Sequence, residues 1–217
     1  MEEWEYQQIA SAFLNAREIT RLFEDNCVKI ENELKSLILE LQKNEPDLHG
    51  HIRLLFFDKK GIELLTRYIC LINPYFSALK TGINLLQKSI QKKYDLKISK
   101  KKGYTIRFFK RFEQEKPDAE EYKILKKYDS LVMEIKDTRD RTEHVNPKTI
   151  VRFRKGEEYL LVPIYKVDLS GTYHEERHVH FLTYMKETNS QIGVLFKEIY
   201  TIDRPEKKDL LSFIATL

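Results

Sequence analysis

Six consecutive residues, Arg139-Asp-Arg-Thr-Glu-His144, carry the side chains of this chain best suited to chemistry on a phosphodiester. Histidine titrates near neutral pH, so His144 can take a proton from an attacking hydroxyl or return one to a departing oxygen. Arginine stays charged and presents a planar fork of donors, so Arg139 can stabilise the negative charge that gathers on a crowded phosphorane. Asp140 can orient either of them. The same residues also have a plainer reading. Arg and His in the last turn of a helix are favourable against its negative end, with no catalysis implied.

A second pattern competes for attention. His174-Glu-Glu-Arg-His178 spells His-Glu-x-x-His, in which two His one helical turn apart hold zinc, with His180 and Glu198 as conceivable further ligands. Both intervening positions are charged, whereas in zinc proteases the second packs into a core. A polar helix start is the expectation here, and no metal ligand is assigned. Charge clusters elsewhere. Residues 88–111 hold ten basic side chains against one acid, Asp95, in a chain whose net charge is only +4. Such a block is either a solvated face or a phosphate-contacting patch. Lys100, Lys101, Lys102, Arg107, Lys110 and Arg111, with Arg141 of the first segment, are the candidate RNA contacts. Tyr94, Tyr104, Phe108, Phe109 and Phe112 lie among them and could stack on bases, although aromatics so spaced are more often core.

Residues 2–44 contain neither Pro nor Gly. Ile9, Phe13, Ala16, Thr20, Phe23, Cys27, Ile30, Leu34, Leu37 and Leu41 recur at alternating steps of four and three. That is a heptad seam on one long helix, about 60 Å at 1.5 Å per residue, with a bend expected near Asp25-Asn26. The seam is longer than one small core covers, which predicts a homodimer. Asn44-Glu-Pro-Asp-Leu-His-Gly50 ends the helix. Residues 52–57 read as a short helix, 58–61 as a turn, and 62–94 as the most apolar helix, kinked or broken at Pro74. The segment to Phe112 reads as a loop or short strand pair. A helix opens at Lys116-Pro-Asp-Ala-Glu-Glu121, buries Leu125, Tyr128, Val132 and Ile135, and stops near His144 because Pro147 disfavours helix at Asn146. Arg139, four residues beyond Ile135, falls on the inward stripe.

Residues 149–154 and 159–169 flank Lys155-Gly-Glu-Glu158 as a β-hairpin, with Pro163 placing the second strand at an edge. Thr172-Tyr-His-Glu175 matches a capping box and opens a last long helix to about Tyr200. Asp203-Arg-Pro205 then separates a short C-terminal helix. The expected fold is therefore mainly all-α: an antiparallel helical bundle with a long N-terminal helix and a small β-hairpin insert before the last long helix. It is organised as one domain, residues 1–217, with a helical core at 1–146, the hairpin at 147–171 and C-terminal helices at 172–217.

Composition agrees. Seven Gly and six Pro are few, which favours long regular elements over many turns. No apolar run approaches the roughly 20 residues of a membrane helix, and the acidic start Met-Glu-Glu-Trp-Glu is wrong for a secretory signal. Cys27 and Cys70 read as free thiols, so a cytoplasmic location is expected.

The Arg-Asp-x3-His spacing on a helical scaffold resembles the HEPN superfamily, and Arg139-Asp-Arg-x-x-His144 is similar to the branch linked to abortive phage infection. The resemblance covers one motif and the helical organisation of residues 1–146 and 172–200. It implies a metal-independent endoribonuclease, with Arg139, Asp140 and His144 catalytic and two copies of the motif meeting across a dimer groove. It also implies no cofactor, RNA as substrate, and a toxin or phage-defence role with a possible antitoxin protein as partner. A small residue often precedes the His in that family, and here it is Glu143. The alternative is a catalytically silent helical binding module for RNA, a nucleotide or a protein partner.

Overall fold

The computed structural model describes residues 1–44, 59–98, 103–144, 161–168 and 172–205. Its elements run α1 (Glu3–Asn44), α2 (Lys59–Ile69), α3 (Ile72–Lys93), α4 (Tyr104–Glu115), α5 (Glu120–Lys127), α6 (Asp129–His144), β1 (Leu161–Val167), β2 (Tyr173–His180) and α7 (Phe181–Asp203). The fold is thus mainly α-helical, with an antiparallel two-stranded hairpin before the last long helix.

The chain divides into two compact units. One comprises Met1–Arg17, Ser77–Ile135 and Glu187–Leu217, the other Glu18–Phe76 and Lys136–Lys186. In the first, α7 seals one face of α1. Tyr6 meets Tyr200 edge-on at 4.8 Å, and Phe13 meets Phe196 at 5.7 Å. Phe13 also lies against Gly82 of α3, where a Cβ would fall 2.3 Å from the ring, so only glycine admits it. The end of α3 is closed by Asp95 in a left-handed conformation, with Leu96 N donating to Gln91 O at 3.0 Å and Asp95 N to Lys92 O at 3.3 Å. This is the Schellman arrangement, with buried Leu96 as its apolar anchor. In the second unit, Phe181 is the hub. Its ring meets Phe23 at 5.3 Å and Tyr75 at 5.7 Å, both edge-on. Burying a side chain of that size contributes about 1.5–3 kcal/mol.

Several expectations change. Of the α1 seam, Ile9, Ala16 and Leu34 are fully buried against the chain's own residues, Phe13, Thr20, Phe23 and Cys27 nearly so, and Ile30 and Leu37 half-buried. α1 also runs through Asp25-Asn26 unbroken, with Asn26 Nδ2 bonded back to Leu22 O at 2.7 Å. The break expected at Pro74 falls instead between Ile69 and Ile72. Pro74 sits in the first turn of α3, where its missing N–H costs nothing. Gly61 is helical rather than in a turn. The basic segment before Phe112 is helix α4, opened by Gly103 at φ 78. Pro117 lies between α4 and α5, and the helix expected from there to His144 is interrupted at Tyr128, the C-cap of α5.

The largest change concerns the hairpin. Among the described residues β1 pairs with β2, from Leu161↔His180 to Val167↔Tyr173, so the segment read as the start of the last helix is a strand. Thr172 does not cap. Its N–H donates to Asp168 Oδ1 at 2.9 Å while Asp168 N donates to Thr172 O at 3.0 Å, closing the hairpin. The residues 149–154, the segment 52–57 and the C-terminal helix read from the sequence lie outside the described residues.

Candidate functional site

The carboxyl-terminal half of α6 is built around the hairpin. After Ile135 the buried face passes to Asp137, Thr138 and Thr142, none more than 2% exposed. They are polar because they meet a strand edge. Tyr165 N donates to Thr138 Oγ1 at 3.1 Å and Val167 N to Asp137 Oδ2 at 3.0 Å. Positions 163, 165 and 167 alternate along that edge, and Pro163 has no N–H there to satisfy. Lys136 Nζ closes on Asp137 Oδ1 at 3.0 Å. Asn73 Nδ2 donates to Thr142 O at 3.3 Å, tying down the last turn.

Arg139 consequently flanks the buried stripe rather than continuing it, with its side chain 24% exposed. Its Nη2 donates to Glu143 Oε1 at 2.7 Å and its Nη1 to Asp140 Oδ1 at 3.2 Å. Nη1 also meets the second oxygen of Glu143, so that carboxylate takes the guanidinium fork bidentately. Asp140 is shared with Lys136 at 3.8 Å. Arg141, two residues on, is held differently. Its guanidinium carbon lies 5.7 Å from the Tyr165 ring centre and 5.6 Å from that of Tyr173. Burial, then the charge of Asp140, raises the Tyr173 hydroxyl above its ordinary range, so that it stays protonated at neutral pH.

The structure therefore brings Arg139, Asp140, Glu143 and Arg141 together at one helix end. His144 closes α6, and its side chain lies outside the described residues. Of the other candidate RNA contacts, Lys100, Lys101 and Lys102 also lie outside them. Arg107, Lys110 and Arg111 stand on α4 in the first unit, with Arg111 paired to Glu115. Phe108 and Phe112 are fully buried and cannot stack on bases, and Tyr94 packs on Phe112 while donating to Glu121.

The His-Glu-x-x-His pattern falls on β2, where positions four apart lie about 13 Å from one another rather than one turn. His174 Nε2 pairs with Asp168 at 2.7 Å, His178 approaches Glu175 at 3.4 Å, and His180 approaches Glu31 at 3.6 Å. Among the described residues no three His, Cys, Asp or Glu converge as a metal site.

Asp137, Thr138, Tyr165 and Tyr173 escaped the sequence reading. Two polar residues directly after a buried Ile135 were the only local signal. What they bond lies 27 and 30 residues away. No described helix is long and apolar enough to cross a membrane. Comparison with family models, curated proteins and solved structures gives no match.

Proposed function

We propose that this chain is a metal-independent endoribonuclease of HEPN type that cleaves RNA through attack by its own 2′-hydroxyl. The observation that carries the reading is the guanidinium fork of Arg139, partly exposed at the end of α6 and oriented by Asp140 and Glu143. His144, one turn on, moves the proton. Arg139 holds the equatorial phosphoryl oxygens as charge builds on them, and Asp140 keeps the guanidinium aimed. The 2′-oxygen forms a bond to phosphorus as the bond to the 5′-oxygen breaks. The products are a 2′,3′-cyclic phosphate and a 5′-hydroxyl. A homodimer would bring a second His144, so that one takes a proton while the other gives one. A cytoplasmic toxin or phage-defence effector, held by an antitoxin protein, fits such an activity.

RNA should be cut in excess chelator, leaving cyclic phosphate ends, while DNA, lacking the nucleophile, survives. His144→Ala should abolish cutting with the fold intact, and Arg139→Lys should be severely impaired because an ammonium keeps the charge but loses the fork. Full activity of His144→Ala would overturn the reading.

One observation favours a second reading, the catalytically silent binding module. Arg139 already spends its donors on two carboxylates, which leaves less charge for a phosphorane. Under that reading RNA or another partner binds and no RNA is cut.

A further inference from the structure

We propose that Arg141 is a preassembled subsite for a phosphodiester of single-stranded RNA. The inference rests on the ribonuclease reading only for the identity of the polyanion. Between Lys136 and Glu143, α6 carries three cations and three carboxylates. Lys136 uses Asp137 and Asp140, and Arg139 uses Asp140 and Glu143. Arg141 is left over. Among the described residues no oxygen accepts a hydrogen bond from its guanidinium, and its Nε is enclosed without an acceptor.

Two tyrosine rings hold it instead, at 5.7 and 5.6 Å. A ring face attracts a cation and fixes the plane of the guanidinium, but it does not accept the in-plane N–H groups. Apart from the enclosed Nε, the terminal Nη donors therefore stay available around the rim of the clamp. Tyr165 is set by its backbone bond to Thr138, and Tyr173 by its pairing opposite Val167, so both rings ride on a hairpin pinned to α6. A residue needed only to pin that hairpin would serve better as Leu or Phe, which leaves no buried N–H without a partner. A planar, pre-oriented and unsatisfied fork suits a phosphodiester, which it can meet with two parallel hydrogen bonds and little further ordering.

The test uses the full chain carrying His144→Ala, so that bound RNA survives, and a short fluorescent single-stranded RNA. Affinity is read by anisotropy between about 50 and 200 mM salt. Arg141→Ala should weaken binding about tenfold and lower the slope of log Kd against log salt by about 0.7. Arg141→Lys should restore the slope but not the affinity. Tyr173→Leu should weaken binding about threefold with the slope kept. Unchanged affinity and slope in Arg141→Ala and Arg141→Lys, alongside a lower Tm, would overturn the proposal, since the clamp would then only pin the hairpin. So would absence of RNA binding by the parent. If Arg141→Ala does not fold, Arg141→Lys alone decides by its affinity. Binding that depends on Arg141, in a chain that never cuts RNA, would uphold the subsite and sink the ribonuclease reading.

Discussion

Two ionic clusters in this molecule are built from the same residue types to opposite effect. In the first unit, Lys93 bridges Glu121 at 2.5 Å and Asp203 at 2.6 Å, while Tyr94 donates to Glu121 and Tyr6 to Asp203. Every carboxylate there has several donors. Burial pushes the Asp203 carboxyl upward, but hydrogen bonds from Lys93, the Met1 amino nitrogen and Tyr6 outweigh it and hold it well below the usual range. Burial pulls Lys93 down, and its bonds to Asp203 and Glu121 more than reverse that. Burial, then Glu121, pushes Tyr94 up to about 12. In the second unit, Arg139 is partly exposed and paired along its own helix, and Arg141 has no acceptor among the described residues. A saturated cluster is a lock. A cluster with one cation left over has something to offer a ligand.

The largest effect should come from breaking the lock. Asp203→Asn removes the charge and leaves one acceptor oxygen where two served three donors, and should cost about 2–3 kcal/mol by denaturant unfolding, discounted because Lys93 is partly solvated. The pH dependence is fixed in sign. Asp203 titrates below its ordinary 3.8 in the folded state, so its contribution is present above that pH and is lost as the pH falls through the folded value. Lys93 titrates above its ordinary 10.5, so its contribution is present below that pH and is lost in strong alkali. In the Asn variant the acid loss of stability should be smaller than in the parent. An unchanged acid limb would mean that the network is not the lock described.

The next effect tests how the second cluster is held. Asp137→Ala leaves the N–H of Val167 without its acceptor and Lys136 without its nearer carboxylate, and should cost about 1–3 kcal/mol. Asp137→Asn keeps an acceptor oxygen and should cost less. Equal losses would say that charge, rather than the strand-edge hydrogen bond, is what α6 supplies.

Smaller in stability but sharper in function is Glu143→Gln. Its carboxylate is 43% exposed and occupies the fork of Arg139 from four residues away, so the pair is worth only about 0.3–0.5 kcal/mol. Stability should barely move, whereas RNA binding should tighten several-fold because the phosphate no longer competes with a carboxylate. Weaker binding would instead show that the orientation Glu143 gives Arg139 outweighs its competition with the phosphate.

The helices were legible wherever a single face told the whole story. The length of α1, the acidic start at Glu120 and Glu121, the end at His144 and a hairpin before the last long helix all followed from period and punctuation. β2 was not legible. Tyr-His-Glu-Glu-Arg-His-Val-His shows no alternation, and Thr172 with Glu175 imitates a cap. The strand exists because β1 supplies its ladder and Asp168 takes the Thr172 N–H. In α4 the period of four between Tyr104, Phe108 and Phe112 was present but masked by the charge around it. The facing of Arg139 failed for a geometric reason: from Ile135 the buried stripe takes a three-residue step to Thr138, which the hairpin edge covers, and runs on to Thr142, so Arg139 falls beside it. The Arg141 clamp joins residues 24 and 32 positions apart on α6, β1 and β2, and nothing local to Arg141 announces it.

An exposed ion pair should weigh little against backbone geometry, and Asp95 sets the two against each other. Its φ of 49 places a non-glycine residue in the left-handed region that closes α3, and its carboxylate pairs with Lys97 at 2.6 Å on a surface where both side chains are more than 70% exposed. Glycine at this position removes the conformational penalty and the ion pair together. The Schellman bonds from Asp95 N and Leu96 N are backbone groups that the substitution keeps. Relief at a left-handed position contributes about 0.5–1 kcal/mol, although glycine also loosens the unfolded chain. The exposed pair contributes less than that. Asp95→Gly should therefore raise the Tm slightly, by a degree or a few. A fall would show that surface pairs in this chain outweigh backbone strain. The low stability cost expected for Glu143→Gln would then have to be revised upward by the same measure.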